Sequence, residues 1–486
     1  MSNRAVDILI IGGGPTGLGA AWRLGELASR GRAPADLSWY LVEAGPRPGG
    51  LARSVTDDAG FTWDFGGHVI YSHYAYFDRL YREILDGDVV DNPRRNWVYV
   101  QGRFVPYPIQ HNFHLLDRDL GRRILDEARR TSPAPGRARN FREWLLERYG
   151  STLCDLFFLP YNLKMWGVPA ERLGVEWTLR KSGSRFANVP EVDPAAMQAR
   201  LETGDAAPGW AGATPFPYPR TGGNGAFWEK LAARLPPASL GCGKRVVRID
   251  TRRREAHFAG GETIGWKRLI STMPLVELAQ IAEPLGGEDA RASAALLEHS
   301  SVHFVGLGMR GTTPPIFRDK YWIHCVPDDL PFFRATVASN YAPGNVPAGA
   351  PHWSLLLEVT TSRHLPEQSS DVVGRCLAAA ANLGWIDRAD VVSRWHAFSR
   401  YGYPVPTTDR DVVLAGLERL LESRGILSRG RFGAWKYEAS NQDNTFMQGL
   451  EAVDRLVYGA EEITFSHPEL LNDGVAGRLI PDLSVV

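Results

Sequence analysis

The chain has 486 residues, more than one hydrophobic core usually holds, so two or three domains are expected. Lys plus Arg and Asp plus Glu each number 55, and a neutral chain lacks the broad positive field of a nucleic-acid binder. Apolar residues make up 44%, which suits a globular protein and argues against disorder. No apolar run approaches the ~18 residues a membrane helix needs, and MSNRAVDILIIGGG does not read as a secretory leader. Cys154, Cys242, Cys325 and Cys376 form no CxxC pair. That excludes a disulfide scaffold and a zinc site of the usual spacing, and it fits a reducing cytoplasm. No metal, nucleic-acid or membrane partner is expected, and the oligomeric state is left open.

Residues 7–11, DILII, read as a strand buried on both faces. Gly12-Gly13-Gly14-Pro15-Thr16-Gly17 follows, then a helical run with Leu18, Ala21 and Leu24 in register, then a second strand, Trp39–Val42, ending at Glu43. Residues 111–205 carry helical periodicity and no alternation. Residues 246–272 alternate apolar and polar around a Gly-Gly turn, a hairpin signature. The runs VHFVGLGM, YWIHCV, RATVA and WSLLLEVT within 300–361 read as strands, and 429–458 ends in a helix. Pro- and Gly-rich joints at 133–136, 207–225 and 342–351 are candidate domain crossings.

The glycine triplet has a physical role. Gly12 permits the sharp turn out of the strand and Gly14 lets backbone approach a pyrophosphate. Gly17 lets the helix pack closely, and Pro15 and Thr16 open the helix whose N-terminus faces the phosphates. Glu43 lies 26 residues beyond Gly17, a little past the roughly 20 expected of an acid that binds the ribose hydroxyls; the insertion GRAPADLS accounts for the excess. Two further Gly-Gly pairs, one at Gly49-Gly50 before Leu51 and one at Gly66-Gly67 before His68, suggest a long cofactor running along the backbone, which favours FAD over NAD.

The blocks GGGPTGLGAAWRL, PGGLARS, DFGGHVIYSHYAYFD, VPYPIQ, LFFLPYNLKMWGVP, PFFRATVASNY, GYPVPT and RGRFGAWKYEASNQD occur in order from about 7 to 458. Together they resemble the UDP-galactopyranose mutases, in particular the eukaryotic-type branch. The resemblance implies an α/β fold in which a Rossmann-like FAD-binding domain (1–93, 222–300 and 429–486) is interrupted by a mostly helical domain (111–205) and a mixed, largely antiparallel sheet domain (94–110 and 301–428). It implies an isomerase that interconverts pyranose and furanose forms of a nucleotide-diphosphate hexose, with N5 of reduced FAD attacking the anomeric carbon, and NADPH or NADH as reductant.

By the same resemblance His68 lies against the flavin, Arg334 binds the diphosphate, and Tyr403, Tyr437 and Tyr341 supply hydroxyls. Asn441 and Gln442 lie beside flavin and sugar, Arg431 near flavin and nicotinamide, and Val246 along the cofactor. Tyr107, Gln110, Phe157, Tyr161, Asn162 and Trp166 fall in the substrate blocks, and Trp322 and His324 in the YWIHCV run. Arginine forks and tyrosine hydroxyls are the efficient response to charge building on a departing diphosphate.

The departures gather around the nucleotide. Lys181, between Arg180 and Arg185, stands where the resemblance implies a second diphosphate arginine, and lysine keeps the charge without the fork. His324 replaces a tyrosine, Ile109 a base-stacking phenylalanine, Ala213 an asparagine, and Asn96 a nicotinamide-contacting serine. A purine sugar such as a GDP-hexose is one economical explanation, and a UDP-galactopyranose enzyme with drifted contacts is the other. A flavin oxidase or desaturase of the amine-oxidase type is the alternative from another class, since it shares the glycine motif, the acid and the Gly-Gly-His approach. A flavin-binding regulatory protein is the non-enzymatic one.

Overall fold

The computed structural model describes residues 4–131, 138–178, 192–205, 215–366 and 369–471. Its first sheet has eight strands and is organised around β1 (Arg4–Ile11), which pairs in parallel with β2 (Trp39–Val42) on one side and with the strand Thr263–Ser271 on the other. Leu9 and Ile10 point to opposite faces and both are fully buried, so the unbroken apolar run marks a central strand covered on both sides. Helix α1 (Pro15–Ser29) lies on one face against the helix Gln442–Tyr458. The two approach so closely that a Cβ on Gly19 would fall 2.2 Å from the Phe446 carbonyl oxygen. Helices Leu275–Ile281, Gly287–Ala295 and Arg410–Ser423 cover the opposite face.

The stretch 246–272 is a three-stranded meander, not one hairpin. Its turns lie at 251–254 and 259–262, and its last strand continues into the parallel sheet. The second sheet has seven strands, in the order Val391–Pro404, His299–Arg310, His352–Thr361, Arg334–Thr336, Trp322–Cys325, Asn96–Val100 and Arg103–Pro106. Its pairs are antiparallel except the one joining Trp322–Cys325 to Asn96–Val100. The segment 342–351 connects strands of this same sheet, so it is not a crossing between units.

Helices Arg118–Arg130, Phe141–Leu153, Leu159–Trp166 and Pro194–Thr203 form the third layer. A π-helical turn, Cys154–Phe158, separates two of them. The expected joint at 133–136 lies outside the described residues, as does the first part, 207–214, of the joint expected at 207–225. Strand pairing leads us to propose one change in the division of the chain. Helix Arg410–Ser423 and strand Ile426–Ser428 pack on the first sheet, so the border expected at 428/429 moves to about 409/410. Among the described residues, no helix is long and apolar enough to cross a membrane.

Candidate active site

One cavity of about 1400 Å³ runs from the carboxyl end of β1 to the face of the second sheet. At its near end stand Gly12, Gly14, Pro15 and Thr16, with Glu43 at the end of β2. Gly12 has φ +101°, and a Cβ there would meet the Thr272 hydroxyl at 2.1 Å. Gly14 caps α1 without a side-chain hydrogen bond, Pro15 occupies the first turn, and no acidic residue sits in that turn. The positive end of the helix therefore faces the cavity uncompensated, which suits an anion. Gly17 lies off the wall. A Cβ on it would fall 1.9 Å from the Gly12 carbonyl oxygen, so its role is to let turn and helix pack.

The Gly50-Leu51 turn crosses back over Gly14, with a Cβ on Gly50 only 3.1 Å from the Gly14 Cα, and Val246 continues the same wall. Bare backbone, an open helix N-terminus and a carboxylate at the strand end together match what the pyrophosphate and ribose of FAD need.

Gly66, Gly67 and His68 line the middle of the cavity. Burial, then the charges of Arg334 and Arg431, push the His68 imidazole down to about 3, so it is neutral at physiological pH. The Arg334 guanidinium makes a two-point ion pair with Glu358, Nε to Oε1 at 2.5 Å and Nη2 to Oε2 at 2.6 Å. Burial opposes its charge, and Glu358 more than offsets that, holding the guanidinium's pKa above its usual value. Arg431 differs. Its partners are the Gly402 carbonyl (2.9 Å), the Ser440 hydroxyl (2.8 Å) and the Tyr403 ring (5.1 Å), and burial lowers its pKa. Among the described residues no carboxylate pairs with it. A half-buried cation held by neutral groups is costly unless an anion joins it.

Tyr403 and Tyr437 face the same space, and burial holds both phenols protonated, Tyr403 up to about 12. Trp166, fully buried, packs edge-on against Tyr437 at 4.6 Å. The π-helical turn brings Phe157 and Tyr161 onto the wall as a stacked pair at 5.3 Å, a local deviation often met at functional sites. Tyr161 and His324 share a 2.6 Å hydrogen bond, and burial followed by the Arg334 charge lowers His324 to about 3. The Tyr107 ring lies 5.2 Å from His324, and Trp322 lines the cavity nearby. Asn162 also borders it, although its amide is engaged with the Phe158 carbonyl and Trp166 Nε1. Asn441 and Gln442 open the helix Gln442–Tyr458 at the cavity, and the Gln442 carboxamide turns to Asn224 and Trp228.

Two expected substrate residues are not brought to this wall, and a third lies outside the described residues. Tyr341 is buried in an aromatic cluster with Phe216, Tyr218 and Tyr321. Gln110 is buried beside the wall, its amide atoms without a hydrogen-bond partner among the described residues. Lys181 lies outside the described residues, as do Arg180, Arg185 and Ala213. Ile109, read as a replacement for a base-stacking ring, is fully buried among helical-layer side chains and does not line this cavity. Sequence reasoning missed Glu358 and Arg94, both on the wall. Glu358 left a signal: a lone charge inside the apolar run SLLLEVTT is affordable only with a partner.

A crystal structure of reduced UDP-galactopyranose mutase is 38% identical to this chain, with a TM-score of 0.87 over 96% of this chain and 97% of that one. The chain belongs to the UDP-galactopyranose mutase family. It is accordingly a flavoprotein and an isomerase. The broader family of flavin containing amine oxidoreductases matches residues 15–457. Cyclohexylamine oxidase from Brevibacterium oxydans IH-35A (15% identity, TM-score 0.63, 93% and 99% of the two chains) and a CLA-producing fatty acid isomerase from P. acnes (15%, 0.57, 93% and 98%) share the fold. The oxidase reading that the sequence alone left open shares this broader fold.

Proposed function

We propose that the protein interconverts the pyranose and furanose forms of a nucleotide-diphosphate hexose with bound FAD. The observation that carries this reading is Arg431, a half-buried cation with no carboxylate partner among the described residues, set among Tyr403, Tyr437 and Arg334 in the cavity that begins at the glycine turn. Such a surface is selective for a polyanion next to a polar ring, whereas an amine or apolar oxidase substrate would leave Arg431 uncompensated. FAD, when bound and reduced, supplies a nucleophilic N5 for the anomeric carbon. Gly12, Gly14 and the α1 N-terminus hold its pyrophosphate and Glu43 its ribose, with Gly50, Leu51 and Val246 along its length.

The protein's own groups do the rest. Arg334 and Arg431 offset the charge that grows on the departing diphosphate, and Lys181 adds a third cation. The Tyr403 and Tyr437 hydroxyls donate hydrogen bonds and stay protonated at working pH. His68 and Asn441 position the sugar against the cofactor as neutral groups. Phe157, Tyr161, Trp166 and Trp322 exclude water and hold the nucleotide, with Tyr107 and Asn162 at its edge. NADPH or NADH is the proposed reductant, met by Arg431 and Asn96, which lines the cavity.

For the base we propose guanine over uracil, and His324 is the ground. With Ile109 off the wall, Ala213 outside the described residues and Asn96 assigned to the nicotinamide, His324 is the departure in view that bears on the base. An imidazole tied back to Tyr161 occupies less of the cavity than a phenol, which leaves room for a purine. The dithionite-reduced enzyme is incubated with UDP- and GDP-hexoses in parallel, and furanose is separated from pyranose by chromatography. Furanose from either nucleotide without consumption of an electron acceptor supports the mutase reading; furanose from neither, with acceptor consumed by amines, overturns it. UDP bound as tightly as GDP overturns the choice of base alone.

A further inference from the structure

Glu358 is the one charged residue in the strand His352–Thr361, and it is 1% exposed. Its position follows from strand register, because Arg334 and Glu358 are direct cross-strand partners. Three donors converge on its two oxygens: Arg334 Nε at 2.5 Å, Arg334 Nη2 at 2.6 Å and the Gly67 backbone N–H at 3.0 Å. The loop presses directly on the ion pair. A Cβ on Gly66 would lie 3.3 Å from Glu358 Oε2 and 3.7 Å from Arg334 Nη2, and one on Gly67 2.5 Å from the Thr336 hydroxyl. His68 follows at once in the chain, on the cavity wall.

We propose that Glu358 is a positioning residue that fixes the anion-facing pose of Arg334 and ties it to the Gly66-Gly67-His68 loop. A guanidinium has five N–H donors in a rigid fork. Engagement of Nε and Nη2 by one carboxylate fixes its plane and leaves the Nη1 edge for a ligand. The same carboxylate accepts from Gly67, so a ligand that displaces the guanidinium displaces the acceptor of the loop's N–H. Anion binding and the position of His68 are coupled through one side chain. The identity of the anion rests on the function proposed above; the coupling itself rests on the three hydrogen bonds.

The test uses FAD-loaded wild type, Glu358→Gln, Glu358→Asp, Arg334→Lys and the Arg334→Lys/Glu358→Gln double variant. Dissociation constants for UDP, GDP and inorganic pyrophosphate are read by titration, together with the unliganded flavin absorption spectrum, kcat and KM. Two opposing effects are separable. If Glu358 only damped the Arg334 charge, Glu358→Gln would bind all three anions more tightly. Because it positions, binding weakens and kcat/KM falls roughly 10–100-fold, the scale of a small misplacement of a reacting group. The flavin spectrum shifts without ligand, and Glu358→Gln adds little on the Arg334→Lys background.

Should Glu358→Gln fail to load FAD, Glu358→Asp, which keeps the charge but retracts it, is expected to show the same weakening and spectral shift. Tighter binding, unchanged binding with an unchanged spectrum, or fully additive effects overturn the proposal. A wild type that isomerises no nucleotide sugar removes the function reading alone, since the pyrophosphate and spectral readouts still judge Glu358.

Discussion

Glu43 accepts a 2.7 Å hydrogen bond from the backbone N–H of Gly13, and its second oxygen accepts from Gly45 N–H at 2.6 Å. The acid at the end of β2 thus clamps the glycine turn that follows β1, while its remaining lone pairs stay available to a ribose. Glu43→Ala strands two backbone donors, and each bond to a charged group contributes about 1.5–3 kcal/mol. The expected result is a folded protein that loses FAD on dilution, measured by the ratio of flavin to protein absorbance after gel filtration. Full retention of FAD would place the ribose contact elsewhere.

Gly17→Ala is expected to be more severe. The added methyl would sit 1.9 Å from the Gly12 carbonyl oxygen, so either turn or helix must move, at a cost of about 1–3 kcal/mol or more. The variant is predicted to purify without yellow colour and with a lowered Tm. A yellow variant of wild-type Tm would show that the turn accommodates a side chain.

Removing Arg334 has two separable consequences. Arg334→Ala leaves Glu358 buried without its partner, and breaking a buried pair from one side costs about 3–5 kcal/mol. The Tm should fall along with turnover. Adding Glu358→Gln removes the stranded charge, so part of the Tm should return while turnover stays low. Recovery of both together would exclude Arg334 from the chemistry.

Glu451 gives stability a pH dependence of definite sign. Burial pushes its carboxyl up to about 8, opposed by the Thr464 hydroxyl and N–H. A raised folded pKa means the native state holds a proton that the unfolded chain has released above about 4.3. Its contribution is therefore fully present below that value and is lost as pH rises through about 8. Denaturation midpoints should decline from pH 6 to pH 9, and Glu451→Gln, which cannot ionise, should flatten the decline. An equal slope in wild type and variant would show that Glu451 does not ionise in this range.

Local pattern determined much of this protein. The run DILII, the glycine triplet and Trp39–Val42 ending in Glu43 dictate a strand, a turn and a strand whatever surrounds them, because short-range sterics and burial on both faces decide each. The order of the motif blocks likewise carried the family. What depended on residues distant in sequence was not legible there. Tyr341 and Ile109 look like site residues in their blocks, yet Tyr341 packs against Phe216 and Ile109 joins the core of the helical layer, so both are buried in the interior.

The converse case is Glu358, an ordinary glutamate in a strand until the antiparallel register sets it opposite Arg334 and beneath Gly67. The helix Arg410–Ser423, assigned by sequence order to the second sheet, packs on the first through Leu414, Leu417 and Leu421. A helix's apolar face states that it must be covered, and only the tertiary structure states by what.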